Sequence, residues 1–265
     1  MQTQVEGRVA GLKASYTWWS FEGRGADTET LLRESAAMGY GGVELAEPEL
    51  WPQIREAGLG IASHRGHGWL EDGLNNPANH DRIEREIREN IALAQAWKCP
   101  VLICFSGNRH GASDEEGIAV TAAGLARVAG DAEAAGITLA LELLNSRVDH
   151  PGYQCDHTPW GVQVIEQVDS PAVKLLYDVY HMQIMEGDVI RTISAQHQQF
   201  AHYHVAGNPG RHEPDTSQEL NYPAIYQAIA DTGFTGYVGM EFVPTGDPVT
   251  ALGDALATLR RVTTT

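Results

Sequence analysis

The sequence predicts a single (β/α)8 barrel domain that spans residues 1–265. Eight short apolar runs, rich in β-branched and aromatic residues, alternate with longer stretches of helical period. The runs begin about 32 residues apart on average, which is the length of one strand–helix unit of a parallel sheet. The length of 265 residues suits an α/β barrel, and no linker or change of composition divides the chain.

The eight strand candidates are short and mostly apolar. They are residues 12–19, 41–46, 60–65, 100–107, 137–145, 173–180, 200–207 and 237–243. An open doubly wound sheet is the competing architecture, but no GxGxxG follows the first strand. The eightfold count therefore favours the closed barrel.

Seven helices are predicted between these strands. They are residues 27–38, 79–97, 113–135, 158–168, 188–198, 222–232 and 247–261. Asp27 and Thr28 are suitable N-caps for the first helix, and Ser113 is suitable for the third. Polar loops at 66–80 and 207–220 follow the third and seventh strands. Because a barrel keeps its active site at the carboxyl ends of its strands, we expect both loops to be functional.

Charge and cysteine content exclude several classes of protein. The 18 Lys and Arg against 35 Asp and Glu give a net charge of −17, which disfavours nucleic-acid partners and electrostatic membrane docking. The three cysteines include no CxxC and indicate reduced thiols in place of a disulfide framework. The first 16 residues lack the apolar region of a signal peptide, and no apolar run is long enough to span a membrane. We therefore expect a cytoplasmic protein.

The last four strands each end on a side chain that can bind a metal: Glu142, Asp178, His204 and Glu241. A single acid at a strand end is usually just solvated at the rim. In a barrel, however, adjacent strand ends converge, and three carboxylates there would repel one another unless a cation neutralised them. One imidazole and three carboxylates suit Mn²⁺, Mg²⁺, Co²⁺ or a catalytic Zn²⁺. We therefore predict a divalent metal site.

Other polar residues are candidates for the substrate pocket. His181, just past the sixth strand, can donate a hydrogen bond to a substrate oxygen, although such a histidine can also belong to an ordinary loop. Arg211 is a cation in a Gly/Pro-rich loop and matches a carboxylate or a diol. His64 ends the third strand and Asn108 follows the fourth, so both are candidates to line the pocket.

Two further residues are candidates to form hydrogen bonds with the residues of the metal site or the pocket. His202 shares a strand face with His204, so we expect it one layer deeper in the barrel as a partner of the metal-binding residues. Glu213 is placed to pair with Arg211 or with a histidine. Aromatic residues around Trp19 are more often core than substrate platform, although one of them could cap the cavity.

Four stretches carry a resemblance to a known family. They are ELLNSRVDHPGY (142–153), LLYDVYHMQIMEGD (175–188), HYHVAGNPGRHEPDTSQELNYP (202–223) and GYVGMEFVP (236–244). The chain resembles the xylose-isomerase-like barrels, a superfamily of sugar isomerases and epimerases, and within it the hydroxypyruvate isomerase family. The resemblance covers nearly the whole chain and is strongest from residue 137 onward.

The resemblance implies roles for the residues named above. Glu142, Asp178, His204 and Glu241 match the metal ligands, and the two glutamates also match the carboxylates that shuttle the proton. His181 and Arg211 match residues that bind substrate oxygens. Some hydroxypyruvate isomerases carry Gln where this chain has His204, whereas the related ketose 3-epimerases carry His.

The implied activity is a metal-dependent isomerase that interconverts hydroxypyruvate and tartronate semialdehyde, or a close hydroxy-keto acid and its isomer, through an enediolate. The alternative is a ketose 3-epimerase acting on free ketohexoses or ketopentoses. A DNA-repair endonuclease on the same barrel is disfavoured by the net charge of −17. A non-enzymatic sugar-sensing or scaffold protein would not need the carboxylates. Barrels of this family commonly associate, so a homo-oligomer is one of the states that the resemblance implies.

Overall fold

The computed structural model describes residues 11–261, and in it eight parallel strands close into a barrel. Each strand pairs with the next in chain order, and the first pairs with the eighth. The strands are β1 (Lys13–Thr17), β2 (Gly42–Glu44), β3 (Gly60–Arg65), β4 (Val101–Cys104), β5 (Thr138–Glu142), β6 (Val173–Asp178), β7 (Phe200–Val205) and β8 (Tyr237–Met240). The predicted barrel and all eight strand positions are confirmed.

Ten α-helices lie among the described residues. They are α1 (Trp18–Phe21), α2 (Thr28–Met38), α3 (Trp51–Glu56), α4 (His80–Trp97), α5 (Asp114–Ala135), α6 (Thr158–Val168), α7 (Val179–Met185), α8 (Val189–Gln196), α9 (Tyr222–Asp231) and α10 (Pro248–Leu259). All seven predicted helices are present. The structure adds one helix, α3, that was not predicted, and α1 and α7 replace the predicted carboxyl ends of the first and sixth strands.

Helix ends follow the capping chemistry of the sequence. The Asp27 side chain accepts a hydrogen bond from the backbone of Thr30 at the start of α2. At the start of α5, Ser113 and Glu116 form a reciprocal capping box, which satisfies backbone groups that the first helical turn leaves free. The predicted caps Asp27 and Ser113 are confirmed, whereas Thr28 is the first residue of α2.

A group of polar side chains lies inside the barrel, although most of the buried side chains are apolar. Ser15, Glu44, Ser63 and His202 are fully buried and belong to β1, β2, β3 and β7. The residues next to them along the same strands, such as Tyr16 and Val43, pack into the hydrophobic layer under the helices. This alternation brings several hydrogen-bonding groups together inside the barrel, below its carboxyl-terminal mouth.

Three other sequence features have a direct structural counterpart. The cysteines are buried and free of disulfides. Among residues 11–261 no helix is long and apolar enough to cross a membrane. The predicted loops at 66–80 and 207–220 follow β3 and β7, and the second contains a tight turn in which Gly207 and His212 pair as an isolated bridge.

Candidate metal centre and active site

The four predicted metal-binding residues meet at the mouth of the barrel. Glu142 and Asp178 end β5 and β6, His204 lies near the end of β7, and Glu241 directly follows β8. One ligand atom from each of these residues lies within 4.8 Å of the others, and all four side chains are buried. The convergence expected from the strand order is therefore present.

The imidazole of His204 points into the space between the carboxylates. Its Nδ1 lies 3.1 Å from Glu241 Oε2, 3.4 Å from Glu142 Oε1 and 4.0 Å from Asp178 Oδ2. This nitrogen is buried and makes no well-formed hydrogen bond within residues 11–261. Nitrogen and oxygen atoms grouped in this way are a donor set that fits a divalent cation.

The carboxylates perturb one another. Burial, together with the Glu241 carboxylate, raises the pKa of Asp178 to about 7. Burial also raises the pKa of Glu142. Burial alone would raise the pKa of Glu241, but His204 and Arg211 hold that pKa below its usual range. Because so many buried acids are expensive to ionise together, a cation at their centre would relieve the repulsion.

Arg211 lies against this cluster. Its Nη2 donates a hydrogen bond to Glu241 Oε2 at 2.7 Å. Its guanidinium carbon lies 5.2 Å from the centre of the Trp19 ring and 5.5 Å from that of Tyr180, which places the cation against two aromatic rings. Its Nε is buried and lacks a partner among the described residues. Arg211 therefore retains a free N–H donor beside the carboxylates.

His181 presents a second free donor. Its Nδ1 accepts a hydrogen bond from the backbone N–H of Asn145 at 3.2 Å, an arrangement that assigns the ring proton to Nε2. Nε2 is buried, lacks a partner within the described part of the chain, and lies 3.9 Å from Asp178 Oδ2. Burial and the nearby Arg211 charge hold the pKa of His181 well below its usual range, so the imidazole is neutral.

Two predicted pocket residues and one predicted supporting residue have other surroundings. The His64 ring packs edge-on against Trp51 of α3, on the helical side of the strand, so the structure does not bring it to the cluster. Asn108 pairs with Tyr153 as an isolated bridge beside the mouth. The Glu213 carboxylate accepts hydrogen bonds from the backbone and hydroxyl of Thr245, which corrects the expected pairing with Arg211 or a histidine.

His202 lies one layer below His204, as expected, and its partner is a residue that the sequence reading missed. Its Nε2 is 2.7 Å from Glu44 Oε2, and His204 Nε2 is 3.1 Å from the same oxygen. Trp19 was also underrated, since its indole N–H donates to Glu241 Oε1 at 3.2 Å. The acid inside the β2 run GGVELA was the available signal for Glu44.

Beside the cluster, the mouth of the barrel opens into a cavity of about 640 Å³. Trp19 lines this cavity and also contacts Glu241, so it connects the two regions. Other lining residues are Leu45, Trp69 and Phe105. The cavity therefore adjoins the buried cluster on the side of β1 to β4, with Trp19 between them.

The chain is similar to proteins named as keto-acid isomerases. A Homo sapiens protein that carries the provisional name hydroxypyruvate isomerase is 29% identical over 237 residues, which cover 83% of this chain and 86% of that protein. The 2-oxo-tetronate isomerase of Haemophilus influenzae is 33% identical over 177 residues, which cover 66% of this chain and 68% of the relative.

Solved structures show the same fold. A Brucella melitensis protein described as AP endonuclease, family 2, is 28% identical with a TM-score of 0.79, covering 91% of this chain and 96% of that one. D-psicose 3-epimerase from Clostridium cellulolyticum H10 is 19% identical with a TM-score of 0.77, covering 94% and 99%. At this identity the epimerase supports the fold alone.

The relatives agree with the family resemblance found in the sequence. The family profile described as "Xylose isomerase-like TIM barrel" matches residues 32–262, which is most of the chain. The chain therefore belongs to the xylose isomerase-like TIM barrel family, in which it groups with proteins named as hydroxypyruvate and 2-oxo-tetronate isomerases.

Proposed function

We propose that the chain is a metal-dependent isomerase that interconverts hydroxypyruvate with tartronate semialdehyde, or a close small hydroxy-keto acid with its own isomer. The observation that carries this proposal is a set of buried nitrogens, around one group of carboxylates, that form no hydrogen bond within residues 11–261. They are His204 Nδ1, His181 Nε2 and Arg211 Nε. Buried polar atoms normally have partners, so nitrogens without one in the described part of the chain indicate positions for a ligand.

The residues present fit a divalent cation. Glu142, Asp178, His204 and Glu241 would hold it, and the mix of one imidazole and three carboxylates favours Mn²⁺, Mg²⁺ or Co²⁺, with Zn²⁺ as a further option. When bound, the ion would act as a Lewis acid that makes the carbon next to a carbonyl more acidic.

The remaining donors are arranged to hold a keto acid. The Nε–H of Arg211 is the charged donor for the substrate carboxylate, a group that an arginine fork binds well. The Nε2–H of His181 is the neutral donor for a substrate carbonyl or hydroxyl oxygen. Trp19 and Tyr180 hold the guanidinium in place by stacking on it.

Glu142 and Glu241 are the proposed acid–base pair. One carboxylate removes a proton from C3 of hydroxypyruvate, leaving an enediolate, and the other delivers a proton to C2. A proton also moves from the C3 oxygen to the C2 oxygen, so the product is an isomer and nothing is oxidised or reduced overall. The two glutamates come from the end of β5 and from the residue after β8, so they belong to strands three apart in the barrel.

A ketose 3-epimerase is the second candidate, because His204 matches the residue that those epimerases carry. The same two carboxylates would then remove a proton and return one to the opposite face of the same carbon. Arg211 favours the acid substrate, since a neutral ketose has no group that needs a buried cation. The net charge of −17 disfavours the phosphodiester substrates of an endonuclease.

Separate Glu142→Gln and Glu241→Gln variants test the acid–base assignment. Each is expected to lower kcat at least about 100-fold, because an amide cannot carry the proton, while metal content is measured independently. Turnover and exchange of the C3 proton are followed by proton NMR in heavy water. Glu186→Gln is the matched control, since this carboxylate contacts Thr158 and not the cluster. Full turnover by either metal-loaded variant would rule out the assignment.

A further inference from the structure

We propose that Glu44 is a positioning residue that fixes the ring of His204 so that Nδ1 faces the metal. This inference rests on the metal site of the proposed function. Glu44 does not itself reach the carboxylate cluster. It acts through the imidazole, on which it sets both the orientation and the nitrogen that carries the proton.

Four side chains form hydrogen bonds with the Glu44 carboxylate. Glu44 is the last residue of β2 and fully buried, and it reaches across the interior to β7. Its Oε2 accepts from His202 Nε2 at 2.7 Å and from His204 Nε2 at 3.1 Å. The hydroxyls of Ser15 and Ser63 donate to its two oxygens at 2.5 Å each. The carboxylate is thus surrounded by donors that hold it in one position.

This network determines which nitrogen of His204 faces the cluster. With Nε2–H committed to Glu44, Nδ1 is the nitrogen left beside Glu142 and Glu241. A glutamine at position 44 would replace one acceptor oxygen with a donor and could not accept all four hydrogen bonds.

The neighbouring strand leaves room for this contact. Gly239 of β8 pairs in register with His204. A Cβ at position 239 would collide with the Glu44 carboxylate and would lie 2.8 Å from His204 Cδ2. A side chain of any size at position 239 would therefore displace the carboxylate, the imidazole or both. Glycine at position 239 therefore leaves free the space that the Glu44–His204 contact occupies.

Metal affinity gives a test that does not depend on turnover. The purified metal-free chain is titrated with Co²⁺, and the electronic absorption spectrum reports both binding and ligand geometry. We expect Glu44→Gln to bind Co²⁺ about 10- to 100-fold more weakly than wild type and to show an altered spectrum. Gly239→Ala is expected to weaken binding in the same direction. Glu186→Gln, the same substitution at a carboxylate away from the cluster, should match wild type.

A double-mutant cycle distinguishes a positioning role of Glu44 from a general disturbance of the metal site. If Glu44 acts through the imidazole, Glu44→Gln should have less than about a 2-fold further effect on Co²⁺ affinity in a His204→Gln background, because coupled residues are not additive. An equal effect in both backgrounds would overturn the positioning role. If Glu44→Gln does not fold, Ser63→Ala removes one donor and keeps the carboxylate, and we expect binding several-fold weaker than wild type.

The outcomes also separate this proposal from the proposed function. Tight Co²⁺ binding by wild type with unchanged affinity in Glu44→Gln, or in Ser63→Ala if that variant is used, would overturn the role of Glu44 and leave the metal site standing. Absence of metal binding by wild type would overturn both.

Discussion

Arg211 shows how a single residue can bear on substrate choice. The residue lies in the turn after β7 with a left-handed backbone, at φ 58°, which is uncommon outside glycine. Its guanidinium is held by Glu241 and by two aromatic rings, and its buried Nε–H has no partner among residues 11–261. A cation fixed in this way is a suitable partner for a substrate carboxylate.

Replacing Arg211 with Gln is expected to lower kcat/KM for hydroxypyruvate about 10- to 100-fold, because a charge-assisted hydrogen bond contributes about 1.5–3 kcal/mol. Steady-state kinetics on the metal-loaded protein measures this loss. Any activity on a free ketose should fall much less, since no carboxylate contact is removed. An equal loss on both substrates would show that Arg211 acts on the carboxylate cluster and not on the substrate acid.

The burial of His64 leads to a prediction about how the free energy of unfolding depends on pH. Burial, with the nearby Arg65 charge, lowers the pKa of His64 from 6.5 to about 4. Between these values the unfolded chain binds a proton that the folded chain does not, so stability falls as pH decreases from 6.5 toward 4. At pH 5 the loss is about 2 kcal/mol. His64→Phe, which keeps the packing on Trp51, should show a smaller decline in Tm between pH 7 and 5 than wild type.

The control for this prediction is His197→Phe, which places the same change on a half-buried residue at the start of a short 3-10 turn. It should retain the wild-type decline in Tm. An unchanged pH dependence in His64→Phe would contradict the assignment of the acid sensitivity to this histidine.

Individual site residues differ in how well the sequence predicts them. The four strand-end residues could be found because strand order alone brings their side chains together. Glu44 could not be found in the same way, since its partners His202 and His204 lie about 160 positions away and only the closed barrel brings them across the interior. Asn145 was missed because its contact with His181 depends on the path of the loop after β5.

At the scale of elements, helices with strong end signals were predicted well, and short ones were not. The six-residue α3 begins at Trp51–Pro52 and is too short to show a helical period. The apolar residues of α1 and α7 directly continue β1 and β6, so in sequence they look like more strand. The amphipathic α4 and the capped α5 match their predicted ranges within one residue.

The capping box of α5 makes a prediction about stability. Ser113→Ala removes the side-chain acceptor for the Glu116 backbone and is expected to cost about 1 kcal/mol in the free energy of unfolding. In a chain of this size that corresponds to a decrease of about 2–4 °C in Tm. Ser194→Ala, at an exposed position within α8, is the matched control and should change Tm little. A Tm equal to that of wild type in Ser113→Ala would contradict the role of the cap.

At the scale of the whole molecule, the closed barrel explains why one end holds the chemistry. Parallel strands direct all their carboxyl ends to the same mouth, so residues separated by about 100 positions meet there. We infer that residues 1–265 act as one domain, since the strands of the barrel run from Lys13 to Met240 without an intervening unit. The negative charge of −17 suits a small-molecule substrate better than a polyanion.

The most direct test of the central claim is a substrate panel followed by proton NMR in heavy water. The protein is stripped with a chelator, reconstituted with Mn²⁺, Mg²⁺ or Co²⁺, and given hydroxypyruvate, a four-carbon 2-keto acid, a ketopentose and a ketohexose; the metal is removed again before spectra are recorded. The account predicts tartronate semialdehyde and deuterium incorporation from hydroxypyruvate, or the matching isomer from the four-carbon acid, and no reaction without metal. Conversion of a free ketose with no exchange on either acid would contradict it.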